Sequence, residues 1–238
     1  MVRDTFMIIR QLLDRVENQE TADILVQSLL TDIPKERAEE INDFIKITGD
    51  KYLGGFPWFA NSQPIDQNLK DTVIRNTWKP ALVVTGASGF PDSDTAGNLI
   101  QPSTSLRLSM RLPPNLDAKK CGETVKEILE KDPPYGAKVE ANLLNTGDGW
   151  NLNSFSLKLR NILNIASQRF FNENGIAYLG VGGSIPFVEY FNSTFSSADI
   201  AVLGLCGKDS NIHGPNENLN MEYCKKLIMC LTFLISEY

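Results

Sequence analysis

TSLRLSMRLPPNLD, residues 104–117, carries the plainest secondary-structure pattern in this chain. Leucine or methionine stands at every second position from 106 to 112, with arginine or serine between them. Successive side chains of a strand point to opposite faces, so the alternation predicts a β-strand over Thr104–Leu112 with one apolar and one wet face. The pair Pro113-Pro114 ends this strand, and Asp117 is placed to cap a following helix.

The flanks of this strand predict the rest of a small α/β sandwich. Apolar positions at helical spacing predict one helix from Asp4 onward, one within 32–49 and one after Asp117. The apolar run Ala81–Val84 and the alternation at 139–143 predict two more strands. The order helix, strand, strand, helix, strand is that of a β-α-β-β-α-β sandwich without its opening strand.

The second half of the sequence predicts an α/β arrangement that is short of strands. A two-stranded sheet is marginal in water and cannot cover the apolar faces of three helices. We therefore expect the strands of this half to pair with another chain or with the preceding sheet. The predicted elements are a helix (155–170), a strand (177–179), a glycine-rich turn (180–186), an aromatic helix (187–191), a strand (200–205), a polar loop (206–218) and a closing helix (219–234).

Composition and charge are those of an ordinary globular protein. Of the 238 residues, 42% are apolar and 22% are charged, which argues against wholesale disorder. The net charge of −6 argues against a nucleic-acid partner, since phosphate binding needs a basic face. No apolar run approaches the roughly 20 residues that cross a bilayer, and the N-terminal segment lacks the pattern of a signal peptide. Four cysteines without a tight framework favour a reducing, cytoplasmic compartment.

Two segments are candidates for chemistry, and each allows two interpretations. The turn GVGGSIP (180–186) fits no phosphate-binding motif. It is either a tight strand-to-helix turn that needs glycine, or a substrate-facing turn at a helix N-terminus. His213 is the single histidine and lies in a polar loop between a predicted strand and a predicted helix, where ligands gather in α/β sheets. It is either a hydrogen-bonded surface group or a metal ligand, and a two-histidine metal site within this chain is excluded.

Five motifs run in order along nearly the whole chain. They are NTWKPALVVTGASG (76–89), AGNLIQPSTSLRLSMRLPPNLD (96–117), PYGAKVE (134–140), GGSIPF (182–187) and SNIHGPNENL (210–219). Together they resemble the di-zinc exopeptidase family of aminoacylases, carnosinase-like dipeptidases and glutamate carboxypeptidases. In that family the first three belong to a lid, or dimerisation, domain, the fourth to a substrate-side turn, and the fifth to the C-terminal motif.

This resemblance implies a fold and a set of site residues. The implied fold is α/β, with a ferredoxin-like lid domain that lacks its first strand over residues 1–151. Residues 152–238 would be the C-terminal part of an α/β phosphorylase/hydrolase-like catalytic domain. His213 matches a metal ligand of the family, where the metal is zinc, and no position matches a catalytic residue. The positions that match substrate-binding residues are Asn98, Gly182, Gly183 and Ser184.

The resemblance also implies that most of a peptidase site is missing. Family members carry an H-x-D motif, a bridging aspartate and a pair of glutamates, which supply metal ligands and the catalytic base. No position of this chain matches them. Val181 stands where the family commonly has a glutamate, so an apolar group replaces a charged pocket group. With one matched ligand, this chain alone is expected to bind zinc weakly at best.

Two functions remain open on this basis. The first is a metallopeptidase-like protein that is inactive alone and serves as an interaction or structural subunit. It would assemble as a homo-oligomer through the lid domain or with a complementing protein subunit. The second is the C-terminal half of a zinc-dependent dipeptidase or carboxypeptidase, which becomes active when an N-terminal half binds it. Val181 favours the first function, and the intact motif around His213 favours the second.

Overall fold

The computed structural model describes residues 2–49, 52–56, 58–173, 175–181, 185–207 and 209–238. Short 3₁₀ turns lie at 27–29, 53–55 and 134–136, and a π-helical turn at 167–171 extends α5. The helices and strands, in chain order, are α1 (Thr5–Leu13), α2 (Lys35–Thr48), α3 (Leu69–Trp78), β1 (Ala81–Ser88), β2 (Ser105–Arg111), α4 (Ala118–Glu130), α5 (Leu157–Ala166), α6 (Pro186–Thr194) and α7 (Met221–Glu237).

The sheet of the described residues is the antiparallel pair of β1 and β2. Ala81 faces Arg111 at one end of the pair, and Ser88 faces Ser105 at the other. Exposure alternates along β2, which confirms the strand predicted from the alternating sequence. The register shifts just after Val84, as at a β-bulge.

Predicted helix boundaries are confirmed where a capping residue sets them. The side chains of Asp4 and Asp117 each accept a hydrogen bond from the backbone N–H three residues further on, at the starts of α1 and α4. Gly49 ends α2 with a φ of 52°, which glycine adopts without a Cβ clash. Helix α3 was not predicted, although Asn68 caps it in the same way.

Two clusters of buried apolar residues stabilise the part of the chain that precedes residue 131. Between the sheet and α4 the buried members are Val16, Ile24, Val26, Leu29 and Cys121. Between α2 and α3 they are Ile41, Phe44, Leu69, Val73 and Trp78. Arg75 of α3 links the two regions, since its guanidinium lies 2.6 Å from Asp66 and 3.1 Å from Asp23.

Three predicted strands are wrong, because 139–143, 177–179 and 200–205 form no strand among the described residues. In the first segment, α4 side chains occupy the backbone groups that a ladder would use. Ala141 N donates to Glu130 Oε1 at 2.8 Å, and Lys126 Nζ donates to Ala141 O at 2.6 Å. The other two segments have no ladder partner within the described ranges, and a β-strand is stable only when it is paired.

The fold is therefore α/β with a small antiparallel sheet. Helices α2 and α3 stand between α1 and β1, so the element order departs from the simple sandwich that the sequence predicts. The ferredoxin-like lid and the division between residues 1–151 and 152–238 stay predictions. In the part of the chain that the structure describes, no helix has the length and apolar character needed to cross a bilayer.

Candidate functional site

The loop that carries His213 is organised around Ser210. Ser210 is buried, and its Oγ accepts a hydrogen bond from Gly207 N at 2.9 Å, while its own N–H donates to Gly207 O at 3.2 Å. Further along, Asn218 N donates to Ser210 O at 3.0 Å and closes the loop. The strand that was predicted before this loop does not form, but the loop has its own internal scaffold.

The backbone of this loop adopts an uncommon conformation at four non-glycine residues. The φ angles are 69° at Asp209, 50° at Asn211, 60° at His213 and 60° at Asn216. Such left-handed residues cost free energy and persist where surrounding contacts fix them. Asn218 supplies two such contacts, because its Nδ2 donates to Asp209 O at 3.0 Å and to Asn216 O at 3.2 Å. His213 is therefore presented, exposed, by a loop with a defined shape.

Within the described ranges, His213 is not part of a set of ligands that would make a metal site. Among the described residues, no group of three or more histidine, cysteine, aspartate or glutamate side chains is placed to hold a metal ion. A structural zinc ion takes four ligands, and a catalytic one takes three from the protein. The described residues therefore do not fit a zinc site of their own, and His213 is at most one ligand of a shared site.

The predicted substrate-binding positions are placed unevenly. Asn98 is exposed on the long loop between β1 and β2. That loop is anchored to α1, because Thr5 Oγ1 and Thr104 Oγ1 lie 2.6 Å apart in a hydrogen bond. Gly182, Gly183 and Ser184 lie outside the described residues, so their predicted role is not tested. No hydrogen bond or ion pair between described residues joins the loop of Asn98 to the loop of His213.

A polar cleft that no sequence motif indicates lies between α2 and α5. Its volume is about 470 Å³. The side chains that line it are separated widely along the chain, so neither spacing nor periodicity could have revealed them. The polar members are Glu40, Asp43, Arg160, Asn164, Gln168 and Tyr178.

The charges at this cleft are paired within the protein. The Arg37 guanidinium lies 2.6 Å from Glu40, and Arg160 lies 3.6 Å from Glu36. Burial raises the pKa of Glu40 and outweighs the attraction of Arg37. The Ser154 hydroxyl donates to Glu36 and lowers the pKa of that carboxyl. The two bonds of Glu36 connect α2 to α5 through Arg160 and to the segment before α5 through Ser154, so the cleft is a junction between two parts of the chain.

Comparison with known proteins gives a consistent class. No protein-family model matches the chain. The cysteinylglycine-S-conjugate dipeptidase of Corynebacterium striatum is 25% identical over 142 residues, which are 60% of this chain and 31% of that protein. Among solved structures, the chain is similar to the di-peptidase Dug1p from Saccharomyces cerevisiae, with a TM-score of 0.72 and 17% identity over 99% of this chain and 50% of that one.

Two further solved structures are also similar to this chain. The M20 family metallo-carboxypeptidase Sso-CP2 from Sulfolobus solfataricus gives a TM-score of 0.71 at 18% identity, over 98% of this chain and 52% of that one. Human carnosine dipeptidase 1 gives a TM-score of 0.71 at 15% identity, over 100% of this chain and 50% of that one. The chain thus spans about half the length of these solved relatives.

The chain has a fold similar to that of the dipeptidases and the metallo-carboxypeptidase among these proteins. Its resemblance to the M20 family, the di-zinc exopeptidases that the five motifs indicate, is confirmed, and the partial coverage fits the C-terminal part of the family.

Proposed function

We propose that this chain alone hydrolyses no peptide and acts as a metallopeptidase-like interaction or structural subunit. The observation that carries the proposal is that His213 belongs to no group of three or more potential metal ligands among the described residues. Two-metal hydrolysis needs several ligands to hold both ions and a base to move the proton from the attacking water. One histidine on an exposed loop supplies neither requirement.

The surface of the described residues before 152, called the first part below, supports an assembly role. The sheet formed by the described residues has two strands, so each strand has an outer edge that can be extended by pairing with another chain. Val83 and Val84 of β1 are both about half exposed, at 46% and 49%. Self-association through this sheet would make a homo-oligomer, the partner type that the resemblance to a dimerisation domain implies. Light scattering at micromolar concentration measures it directly.

A second candidate function is favoured by the ordered loop around His213. Hydrogen bonds fix that loop although the described residues offer no group of three or more potential metal ligands there. In this alternative, the chain contributes His213, Asn98 and the turn of Gly182, Gly183 and Ser184 to a zinc-dependent dipeptidase or carboxypeptidase that a complementing chain completes. Three of the similar proteins are dipeptidases, which points to short peptides as the substrate class of the completed enzyme.

An intracellular setting also belongs to the proposal. All four cysteines are free thiols in the structure, and Cys206 is exposed. Exposed free thiols suit a reducing compartment such as the cytoplasm.

Activity assays separate these functions. The purified chain, with zinc added, should hydrolyse neither cysteinylglycine nor carnosine above the background of a His213→Ala variant. Hydrolysis by the chain alone that a chelator abolishes and His213→Ala removes would contradict the proposal. Hydrolysis that appears only after co-expression with the half of Dug1p that this chain does not match, and that depends on His213, would establish the alternative.

A further inference from the structure

The cleft between α2 and α5 carries opposite charges on the two helices that line it. Helix α2 contributes the carboxylates of Glu40 and Asp43, and α5 contributes the guanidinium of Arg160. The cleft volume of about 470 Å³ lies within the range of small-molecule sites, about 300–1,000 Å³. A molecule that spans this cleft therefore meets acidic groups on one helix and a basic group on the other.

The neutral polar side chains of the lining have unused hydrogen-bonding capacity. Within the described part of the chain, neither the side-chain amides of Asn164 and Gln168 nor the hydroxyl of Tyr178 makes a hydrogen bond. Each amide offers two N–H donors and a carbonyl acceptor, and the hydroxyl can donate or accept. Asn164 and Tyr178 are half-buried, so a polar ligand would satisfy groups that are already partly withdrawn from water.

The ion pairs already present at the cleft leave two of its charges available to a ligand. Arg160 lies 3.6 Å from Glu36, and the two side chains are 43% and 42% exposed. Exposed pairs of this kind contribute little stability, and a guanidinium has five N–H donors, so Arg160 can bind a second carboxylate. The pair of Asp43 with Lys46 is more exposed still, so a ligand cation can replace Lys46 at little cost.

Glu40 is the carboxylate that gains most from a cationic ligand. Its side chain is 13% exposed, and its ion-pair partner is Arg37 at 2.6 Å. Burial nevertheless raises the pKa of Glu40, which shows that Arg37 only partly offsets the hydration that the ionised carboxylate has lost. An ammonium group beside Glu40 would donate charge-assisted hydrogen bonds to this carboxylate.

We propose that this cleft binds a small zwitterion, with its ammonium group at Glu40 and Asp43 and its carboxylate at Arg160. A simple amine would leave Arg160 unused, and a simple carboxylate would be repelled by the two acidic groups. Ile165 and Ile176 also line the cleft, so a short aliphatic side chain on the zwitterion has apolar groups to contact. An amino acid of the size of leucine has this combination of groups.

The test compares three probes that differ only in their charged groups. They are leucine, isoamylamine, which lacks the carboxylate, and 4-methylpentanoate, which lacks the ammonium group. Ligand-observed NMR titrations with the purified full chain measure their affinities, including weak ones. Leucine should bind about tenfold or more tightly than either of the other probes, because it alone makes charge-assisted hydrogen bonds to both helices.

Substitutions on each helix assign the two ends of the ligand. Arg160→Gln should weaken leucine binding by about tenfold and leave isoamylamine binding no weaker, because only leucine has a carboxylate for this residue. Asp43→Asn should weaken the binding of both leucine and isoamylamine by about threefold. Glu39→Gln is the matched control, because it removes the same charge from an exposed position of α2 outside the cleft lining and should bind leucine as the parent does.

Three results would overturn the inference. The first is that leucine does not bind to the folded chain. The second is that isoamylamine binds as tightly as leucine, because the carboxylates of α2 would then act without Arg160. The third is an equal loss of leucine binding in Asp43→Asn and Glu39→Gln, because net charge rather than the cleft would then be responsible. Binding is measured without hydrolysis, so these results are independent of the proposed function.

Discussion

At the scale of single residues, Gly180 is fixed by a close approach to α3. A Cβ built on Gly180 would lie 2.4 Å from Thr77 Cγ2, which is closer than real contacts allow. Thr77 cannot easily turn away, since its Oγ1 donates to Val73 O at 2.7 Å and so holds the side-chain rotamer. The glycine therefore lets the segment 176–181 pack against α3.

The first prediction concerns this contact. Gly180→Ala should lower the free energy of unfolding by about 1–3 kcal/mol, because the added methyl group forces a shift in a packed region. Urea unfolding of the purified chain measures the change. Gly204→Ala is the matched control, since a Cβ there meets nothing within 4 Å and should change stability little. A Thr77→Ser background should remove most of the Gly180→Ala effect, and an unchanged effect in that background would contradict the explanation.

The second prediction concerns the carboxyl of Asp199. Partial burial raises its pKa, but hydrogen bonds from Ser156 and Tyr238 together outweigh burial and lower the pKa below the ordinary value. A lowered folded-state pKa adds stability that is present above the unfolded-state pKa of about 3.9 and is lost as pH falls through the folded value. Asp199→Asn should therefore be less stable than the parent at neutral pH, by about 1 kcal/mol.

The difference between Asp199→Asn and the parent should shrink as pH falls from neutral to acidic. Thermal unfolding followed by circular dichroism across this range measures it. Tyr238→Phe serves as the partial variant, since it removes one of the donors and leaves the Ser156 contacts. A stability difference that stays constant at every pH would show that the carboxylate charge is not responsible.

At the scale of elements, α1 and α4 are joined through one side chain. The guanidinium of Arg15 follows α1 and donates to carbonyl oxygens at the end of α4, to Ile128 O at 3.2 Å, to Asp132 O at 2.8 Å and to Lys131 O. The last carbonyls of a helix lack intrahelical partners and carry partial negative charge. Arg15 thus caps α4 from another element.

The third prediction tests this cap. Arg15→Met should lower the free energy of unfolding by about 1–2 kcal/mol, because it leaves these helix-end carbonyls without their donor. Arg15→Lys should restore only part of the loss, since an ammonium group lacks the planar fork of donors. Arg10→Met on α1 is the control, because the Arg10 guanidinium makes only a long, exposed contact of 3.8 Å to Met7 Sδ among the described hydrogen bonds. Equal stability of Arg15→Met and Arg10→Met would remove the role of Arg15.

The elements also show what the sequence could predict. Local signals were sufficient for helix ends at Asp4, Asp117 and Gly49, and for β2, because a cap or an alternation is complete within a few residues. The apolar runs at 177–179 and 200–205 gave a strand signal but no ladder, because pairing depends on a neighbouring strand. The motif around His213 predicts a metal ligand, and this stays a prediction, whereas the cleft between α2 and α5 arises from long-range packing that no motif indicates.

At the scale of the whole molecule, burial is uneven. The first part holds two clusters of buried apolar residues, around Leu29 and around Phe44. The second part, the described residues from 152 onward, has a small buried set that includes Leu159, Ala166 and Val188. None of the described residues of α7 is buried. Since apolar burial is the main source of stability, the first part is expected to be the more stable one.

The last prediction follows from this difference and from where the tryptophans lie. All three tryptophans precede residue 151, and Trp78 is buried between α2 and α3, so their fluorescence reports on the first part. Circular dichroism includes α5, α6 and α7 of the second part. In urea, helical signal should therefore begin to fall before the fluorescence changes, because the less buried part unfolds first.

Val188→Ala in α6 should shift the early loss of helical signal to lower urea, while Val73→Ala in α3 should shift the fluorescence transition, since both valines are buried. Coincident transitions that both variants shift equally would mean that the two parts unfold as one cooperative unit, because the bonds of Glu36 to Ser154 and Arg160 would then couple them fully.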